Sequence, residues 1–407
     1  MRHQYSRPTI SVNEVHNQAA GVLQRFIPIK DHGPTCTARA LVSVLFFAAA
    51  CQKTINYACN RLTRAPTSQG ARIALLATLP ESQGLELCFN EAFASQVPKS
   101  IRKRSRPIAI DLTLIPYYGE PKTDKRELRG GEAKRGTTQF HAYATAYMVS
   151  HGERFTLAMA YVLRDEPLKD VVRRLVQRVR KIGIRIRYLL LDREFFSRPV
   201  VCYLTGVHCP FLMPVARRGR RPKDPAKSPG VWKFFTWKKS GWATHAMEPN
   251  RRSLRGGDTA KARVSICVVC VNKAGRKGRH GRRALVYALW GLRPSSARWV
   301  RETYRNRFGI ESSYRQMNQG RARTCSRDPV FRLLLVGIAF LLRNVWVWFH
   351  LVRFADRTPR GRLQLRLELL EFATLLLCLQ RCAQALFGCT EQLNAQLTIM
   401  YDFRQPK

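Results

Sequence analysis

The sequence predicts a mixed α/β fold with a helical module at one end and a β-rich insertion late in the chain. Strand-like apolar runs alternate with amphipathic helices over residues 107–215, a pattern typical of a mixed sheet covered by helices. Before that region only helical patterns occur. After it, a basic and turn-rich stretch over 216–283 interrupts the alternation and carries short strand-like pieces.

The predicted elements follow from these patterns in order. Residues 1–104 form a helical module, with helices expected at 37–50, 69–77 and 83–93. It could bind DNA or simply cap the next domain. Residues 105–355 form the central domain, with strands predicted at 107–119, 139–150, 154–163, 210–215 and at a run ending in Asp192, and helices at 168–181 and 197–206. The insertion should hold strands around VWKFFTW, GWATHAM and ARVSICVVCV, and one more strand, ALVYALWGL, follows it. Then come a long helix from 297 to about 319 and two helices at 330–354 and 361–387, the second in a C-terminal helical region over 356–407.

The net charge indicates a polyanionic partner. The chain has 71 Lys and Arg against 27 Asp and Glu, a formal charge of +44. A nucleic acid would release counterions on binding such a surface. An anionic membrane is the alternative, but the cations are spread over the whole length instead of flanking one apolar segment.

Two further observations predict a cytoplasmic protein outside the membrane. Residues 1–10 are polar and lack the apolar core of a signal peptide, and the twelve cysteines have no framework spacing. The apolar run over 330–352 has the length of a membrane span, yet it contains Arg343 and Asn344 near its middle. Such residues are costly in lipid, so a core helix is predicted.

Two carboxylates stand in strongly apolar strand-like runs. Asp111 lies in AIDLTLI and Asp192 in LLLDREFF. Because a buried carboxylate is costly unless it is paired or coordinates a metal, these residues are candidate ligands for Mg²⁺ or Mn²⁺. A buried salt bridge is the alternative. Two metal ions could activate an attacking hydroxyl and stabilise the leaving oxygen, and a third carboxylate is usually needed to hold them.

Glu311 is the candidate for that third carboxylate. In the helix RETYRNRFGIESSYRQ it shares a face with Tyr304, Arg307, Arg315 and Asn318 at helical spacings. A stripe of Tyr, Arg and Glu is not typical of a core-facing helix. Its simpler interpretation is a solvated face with weak ion pairs.

These motifs resemble the DDE transposases of prokaryotic insertion sequences. The strand motif DLT at Asp111, the Asp-Arg-x-aromatic-aromatic motif at Asp192, and the helical signature Tyr-x2-Arg-x3-Glu at Tyr304, Arg307 and Glu311 carry the resemblance, which covers about residues 105–350. PYYG at 116–119 and ESSYR at 311–315 are similar to a subgroup known from haloarchaeal elements. The signature's final Lys is replaced by Asn318.

The resemblance implies a ribonuclease H-like mixed five-stranded sheet flanked by helices, with the β-rich insertion before the last catalytic helix. The helical module over 1–104, which precedes a basic linker, is expected to bind DNA ends. It implies that Asp111, Asp192 and Glu311 hold two Mg²⁺ (or Mn²⁺) ions, cleave the ends of the element, and join them to target DNA in cut-and-paste transposition. The implied partners are double-stranded DNA and a second copy of the chain, and the implied location is the nucleoid of a prokaryotic cytoplasm.

DNA contacts are predicted at Tyr304, Arg307, Arg193 and, in place of the missing Lys, Arg315 or Arg321, with Arg315 preferred. The basic edges of the insertion, at 217–223 and 276–283, would add a salt-sensitive grip. One tryptophan of the family's insertion stacks on a flipped base; Trp237, Trp242 and Trp290 are the candidates, and core packing is the alternative for each. Two other functions stay open: a non-catalytic DNA-binding protein derived from a transposase, and a ribonuclease H-like nuclease without strand transfer.

Overall fold

The computed structural model describes residues 9–150, 152–217, 221–228, 230–249, 254–273, 281–357, 363–364 and 367–390. Within these ranges the central feature is one sheet of nine strands. The strands are β1 (Ser105–Pro116), β2 (Arg129–Lys134), β3 (Thr137–Met148), β4 (Thr156–Val162), β5 (Arg185–Leu191), β6 (Phe211–Pro214), β7 (Gly241–Met247), β8 (Ala262–Lys273) and β9 (Gly281–Trp290). A separate two-stranded ladder joins β10 (Asp356–Arg357) to β11 (Leu363–Gln364).

The strand order mixes antiparallel and parallel pairs. Along the sheet the order is β2-β3-β1-β5-β6-β9-β8-β7, and β4 pairs with β3 beside β2. Strand β3 is antiparallel to β1 and β4, whereas β5 is parallel to both β1 and β6. The last three strands are antiparallel to their neighbours. The predicted insertion therefore does not stand apart from a five-stranded sheet, because its strands extend the same sheet through the β6–β9 pair.

The helices cover this sheet and build the two ends of the chain. Their bounds are α1 (Val12–Phe26), α2 (Ala38–Ala50), α3 (Ile55–Arg61), α4 (Ser68–Thr78), α5 (Ser82–Gln96), α6 (Lys99–Arg102), α7 (Leu168–Lys181), α8 (Arg198–Gly206), α9 (Ala297–Arg305), α10 (Phe308–Gln319), α11 (Pro329–Val352) and α12 (Phe372–Phe387). In the described ranges, four short 3₁₀ turns lie at Lys125–Glu127, Arg193–Phe195, Val231–Thr236 and Leu367–Leu369.

The N-terminal helices share one core with the central domain. Helices α1 and α2 pack on α11 and α12, and α5 packs on α11 and β4. Buried residues from all these elements form one continuous apolar cluster. This packing agrees with a helical cap, while a role of residues 1–104 in binding DNA ends stays a prediction.

The outer edge of β4 is covered by side chains instead of another strand. The amide groups of Thr156, Met159 and Tyr161 donate to side-chain oxygens of Asn344, Asn90 and Glu86 at 2.7–2.8 Å. Asn344 and Asn90 also donate back to the carbonyls of Thr156 and Met159. An uncovered edge would expose unpaired backbone groups, so these contacts close the sheet on this side.

Helix α11 is the predicted core helix. It is the one described helix long and apolar enough to cross a membrane, and 94% of that apolar window is buried inside the protein. The guanidinium of Arg343 donates to the carbonyl of Arg154 and the hydroxyl of Tyr147, each at 2.7 Å. The polar residues that are costly in lipid are thus satisfied by the protein around them.

Three predicted elements are wrong or incomplete, and one strand was missed. The helix predicted over 361–387 begins only at Phe372, and residues 363–364, inside the predicted range, form strand β11. The segment VWKFFT forms the 3₁₀ turn Val231–Thr236, not a strand. The helix predicted from 297 to about 319 is two helices, broken at Asn306 and Arg307. Strand β2 was not predicted, because RGGEAK is almost wholly exposed and lacks an apolar face. It forms through a hairpin with β3 whose turn residues, Arg135 and Gly136, both have positive φ, +50° and +81°.

Candidate active site

The three predicted carboxylates converge at the centre of the sheet. Asp111 lies in β1, and Asp192 directly follows β5, the parallel neighbour. Since Ile110 is paired with Leu191 in this ladder, the two aspartates occupy adjacent positions on neighbouring strands, about 5 Å apart in the backbone. Glu311 comes from the first turn of α10, which packs against β1.

Arg307 lies between these carboxylates. One of its terminal nitrogens is 2.8 Å from Asp111 Oδ2, and the other is 2.8 Å from Glu311 Oε1 and 3.9 Å from Asp192 Oδ1. The Arg307 side chain is 7% exposed, whereas the three carboxylates are 14%, 37% and 39% exposed. Asp111 thus forms an ion pair, and its partner is the arginine of the helical signature.

The break between α9 and α10 gives Arg307 this position. The amides of Arg307 and Ile310 bond to carbonyls three residues earlier, so the chain tightens where an α-helix was expected. Arg307 and Glu311 keep their i,i+4 relation, but Tyr304 now belongs to the preceding helix. Its ring lies 5.5 Å from the Arg307 guanidinium.

Burial and the neighbouring charges perturb the site. Burial raises the pKa of Asp111 to about 6, partly offset by Arg307 and reinforced by Asp192 and Glu311. For Arg307, burial opposes the charge, but Tyr304 and the three carboxylates outweigh it and hold the pKa above its usual range. The cluster retains an excess of negative charge, since one guanidinium faces three carboxylates.

Tyr314 fixes α10 against the strand that carries Asp111. Its hydroxyl donates to the backbone carbonyl of Asp111 at 2.9 Å and lies 2.8 Å from the hydroxyl of Thr145 on β3. Burial raises the pKa of Tyr314 far above its usual range, so the phenol stays neutral. The hydroxyl therefore joins β1, β3 and α10 at one point.

An open groove of about 1340 Å³ leads away from Asp192. We call it the active-site groove; of the three carboxylates, Asp192 alone is among its lining residues. Its walls include Tyr304 and Phe308, and its charged lining consists of Arg129, Lys134, Arg193, Arg217 and Arg283 against Asp192, Glu132 and Glu194. Arg129 is paired with Glu194 at 3.0 Å, so the remaining cations dominate the surface beside the carboxylates.

The predicted DNA-contacting residues are divided by the fold. Arg193 and Tyr304 line the active-site groove. Arg321 lines a second cavity, where its Nε donates to Asn318 at 3.2 Å. Arg315 is exposed on α10 and lines neither. The position of the missing signature lysine is thus next to Arg321, not Arg315, and a phosphate contact by either stays a prediction.

The predicted basic edges of the insertion lie only partly within the described residues. Of 217–223, residues 218–220 are outside them, and of 276–283, residues 276–280 are outside them. Arg217 and Arg283 line the active-site groove. The guanidinium of Arg217 also stacks 4.3 Å from the ring centre of Phe235.

The three candidate tryptophans lie away from the carboxylates. Trp237 packs edge-on against Phe234 and Trp290 against His208, both partly buried. Trp242, on the outermost strand β7, is 45% exposed. None lines the active-site groove. Exposure favours Trp242 for base stacking, which stays a prediction.

Phe308 is the aromatic residue that sequence reasoning missed. It is 49% exposed, lines the active-site groove and lies 5.5 Å from the Arg307 guanidinium. The available signal was an apolar residue immediately after Arg307, in a stripe that is otherwise polar. An exposed phenyl ring in the active-site groove, which none of the tryptophans lines, offers a base a stacking surface.

The donor atoms of the three carboxylates are chemically suited to a divalent cation. Three carboxylates supply only hard oxygen donors, which suit Mg²⁺ or Mn²⁺, and their charge exceeds that of the single guanidinium among them. In the described part of the chain no three acidic, histidine or cysteine side chains are grouped as a ready ligand set. The reason lies in the position of Arg307, which holds Asp111 and Glu311 on either side of itself.

Comparison with known families decides the classification. A family model described as "Transposase DDE domain" matches residues 102–345, more than half of the chain. The chain belongs to the DDE transposases. The matched span contains Asp111, Asp192 and Glu311. The protein is therefore a transposase, an enzyme of DNA transposition, and the function and enzyme class expected from the sequence are confirmed.

A solved structure shows the same overall fold. The transposase is similar to a chain titled "Cryo-EM structure of piggyBac transposase synaptic complex with hairpin DNA", with a TM-score of 0.56 and 8% identity. The alignment covers 99% of the transposase and 84% of that chain. At this identity the likeness concerns the fold alone. No curated protein sequence matches the transposase.

Proposed function

We propose that the transposase cuts the ends of an insertion sequence and joins them to target DNA in a cut-and-paste reaction that uses Asp111, Asp192 and Glu311. The supporting observation is the convergence of these three carboxylates, from β1, the end of β5 and α10, around one guanidinium. They would hold two Mg²⁺ or Mn²⁺ ions, which supply a polarised phosphate and an activated hydroxyl at neutral pH.

The other residues position DNA. Arg193 and Tyr304 line the active-site groove beside Asp192 and would contact phosphates, which orient a duplex without reading its sequence. Arg307 would leave the carboxylates and turn to phosphate once cations neutralise them. Phe308 or Trp242 would stack on an unpaired base. No Ser, Tyr or Cys nucleophile is required.

The finer classification is part of the same proposal. Strands β4-β3-β1-β5-β6, with β3 antiparallel to its neighbours and β5 and β6 parallel to β1, agree with a ribonuclease H-like core of five strands. We place the protein among prokaryotic insertion sequences on the Tyr304, Arg307 and Glu311 signature. It would act on the nucleoid in the cytoplasm, as a homodimer that bridges two DNA ends.

Replacing Asp192 with Asn tests the assignment. Its side chain is 37% exposed, so the variant should fold and bind duplex DNA normally. With Mg²⁺ and a plasmid that carries the DNA flanking the gene, cleavage and joined products should both disappear. Asp165→Asn, an exposed substitution before α7, is the matched control and should retain both.

The outcomes separate the alternatives. Cleavage that persists in Asp192→Asn would contradict the assignment of that carboxylate. Cleavage by the unmodified protein without any joined product would indicate a nuclease that lacks strand transfer. DNA binding without metal-dependent cleavage by the unmodified protein would indicate a non-catalytic descendant of a transposase.

A further inference from the structure

A second groove, of about 920 Å³, lies beside the active site and is lined by cations without acids. We call it the arginine groove. Its cationic lining residues are Lys134, Arg135, Arg321, Arg323, Arg327 and Arg332. No Asp or Glu is among its described lining residues. Two carboxylates directly follow lining residues in the sequence: Glu120, which is exposed, and Asp328, which caps α11 and is paired with Lys122.

Among the described residues, the hydrogen-bond acceptors of Arg321, Arg327 and Arg332 are all neutral. Arg332 donates to the carbonyls of Ser326 and Thr324, at 2.6 and 3.3 Å, and its guanidinium lies 4.5 Å from the ring centre of Tyr117. Arg327 donates to a carbonyl at 2.9 Å, and Arg321 donates to an amide oxygen. Packing like charges together without counter-charge is costly, so the groove favours an anion.

The electrostatics of Arg321 agree with this geometry. Burial lowers the pKa of Arg321, and although Tyr143 opposes that shift, Arg332, Arg323 and Arg135 reinforce it. An anion in the groove would relieve the repulsion among these four guanidinium groups.

The arginine groove is continuous with the catalytic strand. Thr113 and Ile115 line it, and alternation along β1 puts both on the face that carries Asp111. Thr113 lies two positions after Asp111 in the strand, a distance of about 7 Å. Lys134 and Leu114 line both this groove and the active-site groove. Asp192, on the active-site groove, and Asp111, two positions before Thr113 in β1, therefore lie close to both basic surfaces.

We propose that the arginine groove binds the phosphate backbone of a second DNA duplex, separate from the one in the active-site groove. The inference rests on the proposed strand-transfer function, which requires two DNA segments at one set of carboxylates. Six cations exceed what a single phosphate needs, while a duplex presents one charge per about 1.7 Å of its axis. Tyr118, 69% exposed at the edge of the groove, adds a polar contact surface.

The first test measures the salt dependence of duplex binding. Arg135, Arg321 and Arg323 are replaced together by Gln, and random-sequence duplex is titrated in EDTA, so that cleavage plays no part. If each arginine neutralises one phosphate, the slope of log Kd against log salt should fall by about 2.7. The matched control replaces Arg173, Arg178 and Arg187, which line neither groove, and should keep the slope of the unmodified protein.

The second test uses the unmodified protein, so it does not depend on how the variant folds. Cys325 lines the arginine groove and is the one exposed cysteine among the twelve, all of which are described. Duplex DNA should slow alkylation of Cys325 at least fivefold, as read by mass spectrometry, and leave Cys88 on α5 unaffected. Inorganic phosphate and a mononucleotide, at equal phosphate concentration, should protect it far less.

Three results would overturn the proposal. The first is the same slope of log Kd against log salt for the two triple variants. The second is an alkylation rate of Cys325 that does not change when duplex DNA is added. The third is protection of Cys325 by phosphate or the mononucleotide as strong as that by duplex DNA, which would indicate a small-anion site. Each is independent of the Asp192→Asn experiment. Loss of cleavage in that variant together with an unprotected Cys325 would leave the proposed function intact and reject the arginine groove alone.

Discussion

Replacing Arg307 tests whether its guanidinium neutralises the three carboxylates. Its guanidinium is the cation that the structure places among Asp111, Asp192 and Glu311, with two contacts of 2.8 Å and one of 3.9 Å. We predict that Arg307→Gln destabilises the protein when divalent cations are removed. Added Mn²⁺ should then stabilise the variant more than it stabilises the unmodified protein.

The magnitude follows from the burial of each partner. Removing one partner of a buried ion pair costs about 3–5 kcal/mol. Only Asp111, 14% exposed, qualifies as buried, since Asp192 and Glu311 are 37% and 39% exposed and are screened by water. The loss in EDTA should therefore lie near the lower bound, about 3 kcal/mol. Binding of Mn²⁺ at one hundred times its Kd would stabilise the folded Arg307→Gln variant by about 2.7 kcal/mol.

The assay is urea unfolding of both proteins in EDTA and in saturating Mn²⁺. The control is Arg298→Gln, which removes another i,i+4 pair of the same region, 2.7 Å from Glu302 but fully exposed. Its unfolding should be unchanged in both buffers.

Two results would refute the reasoning. If Arg307→Gln were as stable as the unmodified protein in EDTA, the guanidinium would not be neutralising the carboxylates. If Mn²⁺ stabilised both proteins equally, Arg307 would not be competing with cations for Asp111 and Glu311.

Three further predictions concern the fold around the site. Gly337→Ala should lower the free energy of unfolding by about 1–3 kcal/mol, because its Cβ would lie 2.3 Å from the ring of Phe89. Gly21→Ala, whose Cβ would have nothing within 4 Å, should raise the free energy of unfolding by about 0.5–1 kcal/mol. Urea unfolding compares the two variants, and equal effects would contradict the packing around Gly337. Burial lowers the pKa of His141 to about 3. Because the pKa of His141 is lower in the folded than in the unfolded protein, the contribution of His141 to the free energy of unfolding is constant above pH 6.5. Below pH 6.5 this contribution falls by about 1.4 kcal/mol per pH unit. At pH 5 the unmodified protein should therefore lose about 2 kcal/mol relative to His141→Phe, and parallel pH profiles would count against this. Tyr314→Phe, which breaks two hydrogen bonds of 2.8 and 2.9 Å, should cost about 1–2 kcal/mol in the same assay; no change would mean that its hydroxyl does not hold α10 to β1.

The sequence was sufficient for elements whose signal is local. Helix α7 occupies the predicted residues 168–181, because its apolar positions recur at helical spacing and Pro167 precedes it. Strands β1, β3, β4 and β5 were predicted because their apolar runs are bounded by turn residues. That Asp111 has a partner could also be anticipated, since a buried carboxylate requires an opposite charge or a metal.

Elements that depend on pairing with a distant segment could not be predicted. Strand β2 carries no apolar face and exists because β3 offers it a ladder. The break at Asn306 interrupts a sequence that is locally helical, and it places Arg307 against Asp111, 196 residues away. Likewise, the 3₁₀ turn at Val231–Thr236 has a strand-like composition, which tertiary packing overrides.

By itself the sequence determined the net charge, the helices and strands with strong periodicity, and the choice of three candidate carboxylates, because each is a property of residue type and local spacing. Only the tertiary structure decided that a guanidinium occupies the space between those carboxylates, that the insertion extends the same sheet, and that six scattered cations line one groove. These are contacts between residues far apart in the chain, and local periodicity carries no information about which distant segments meet.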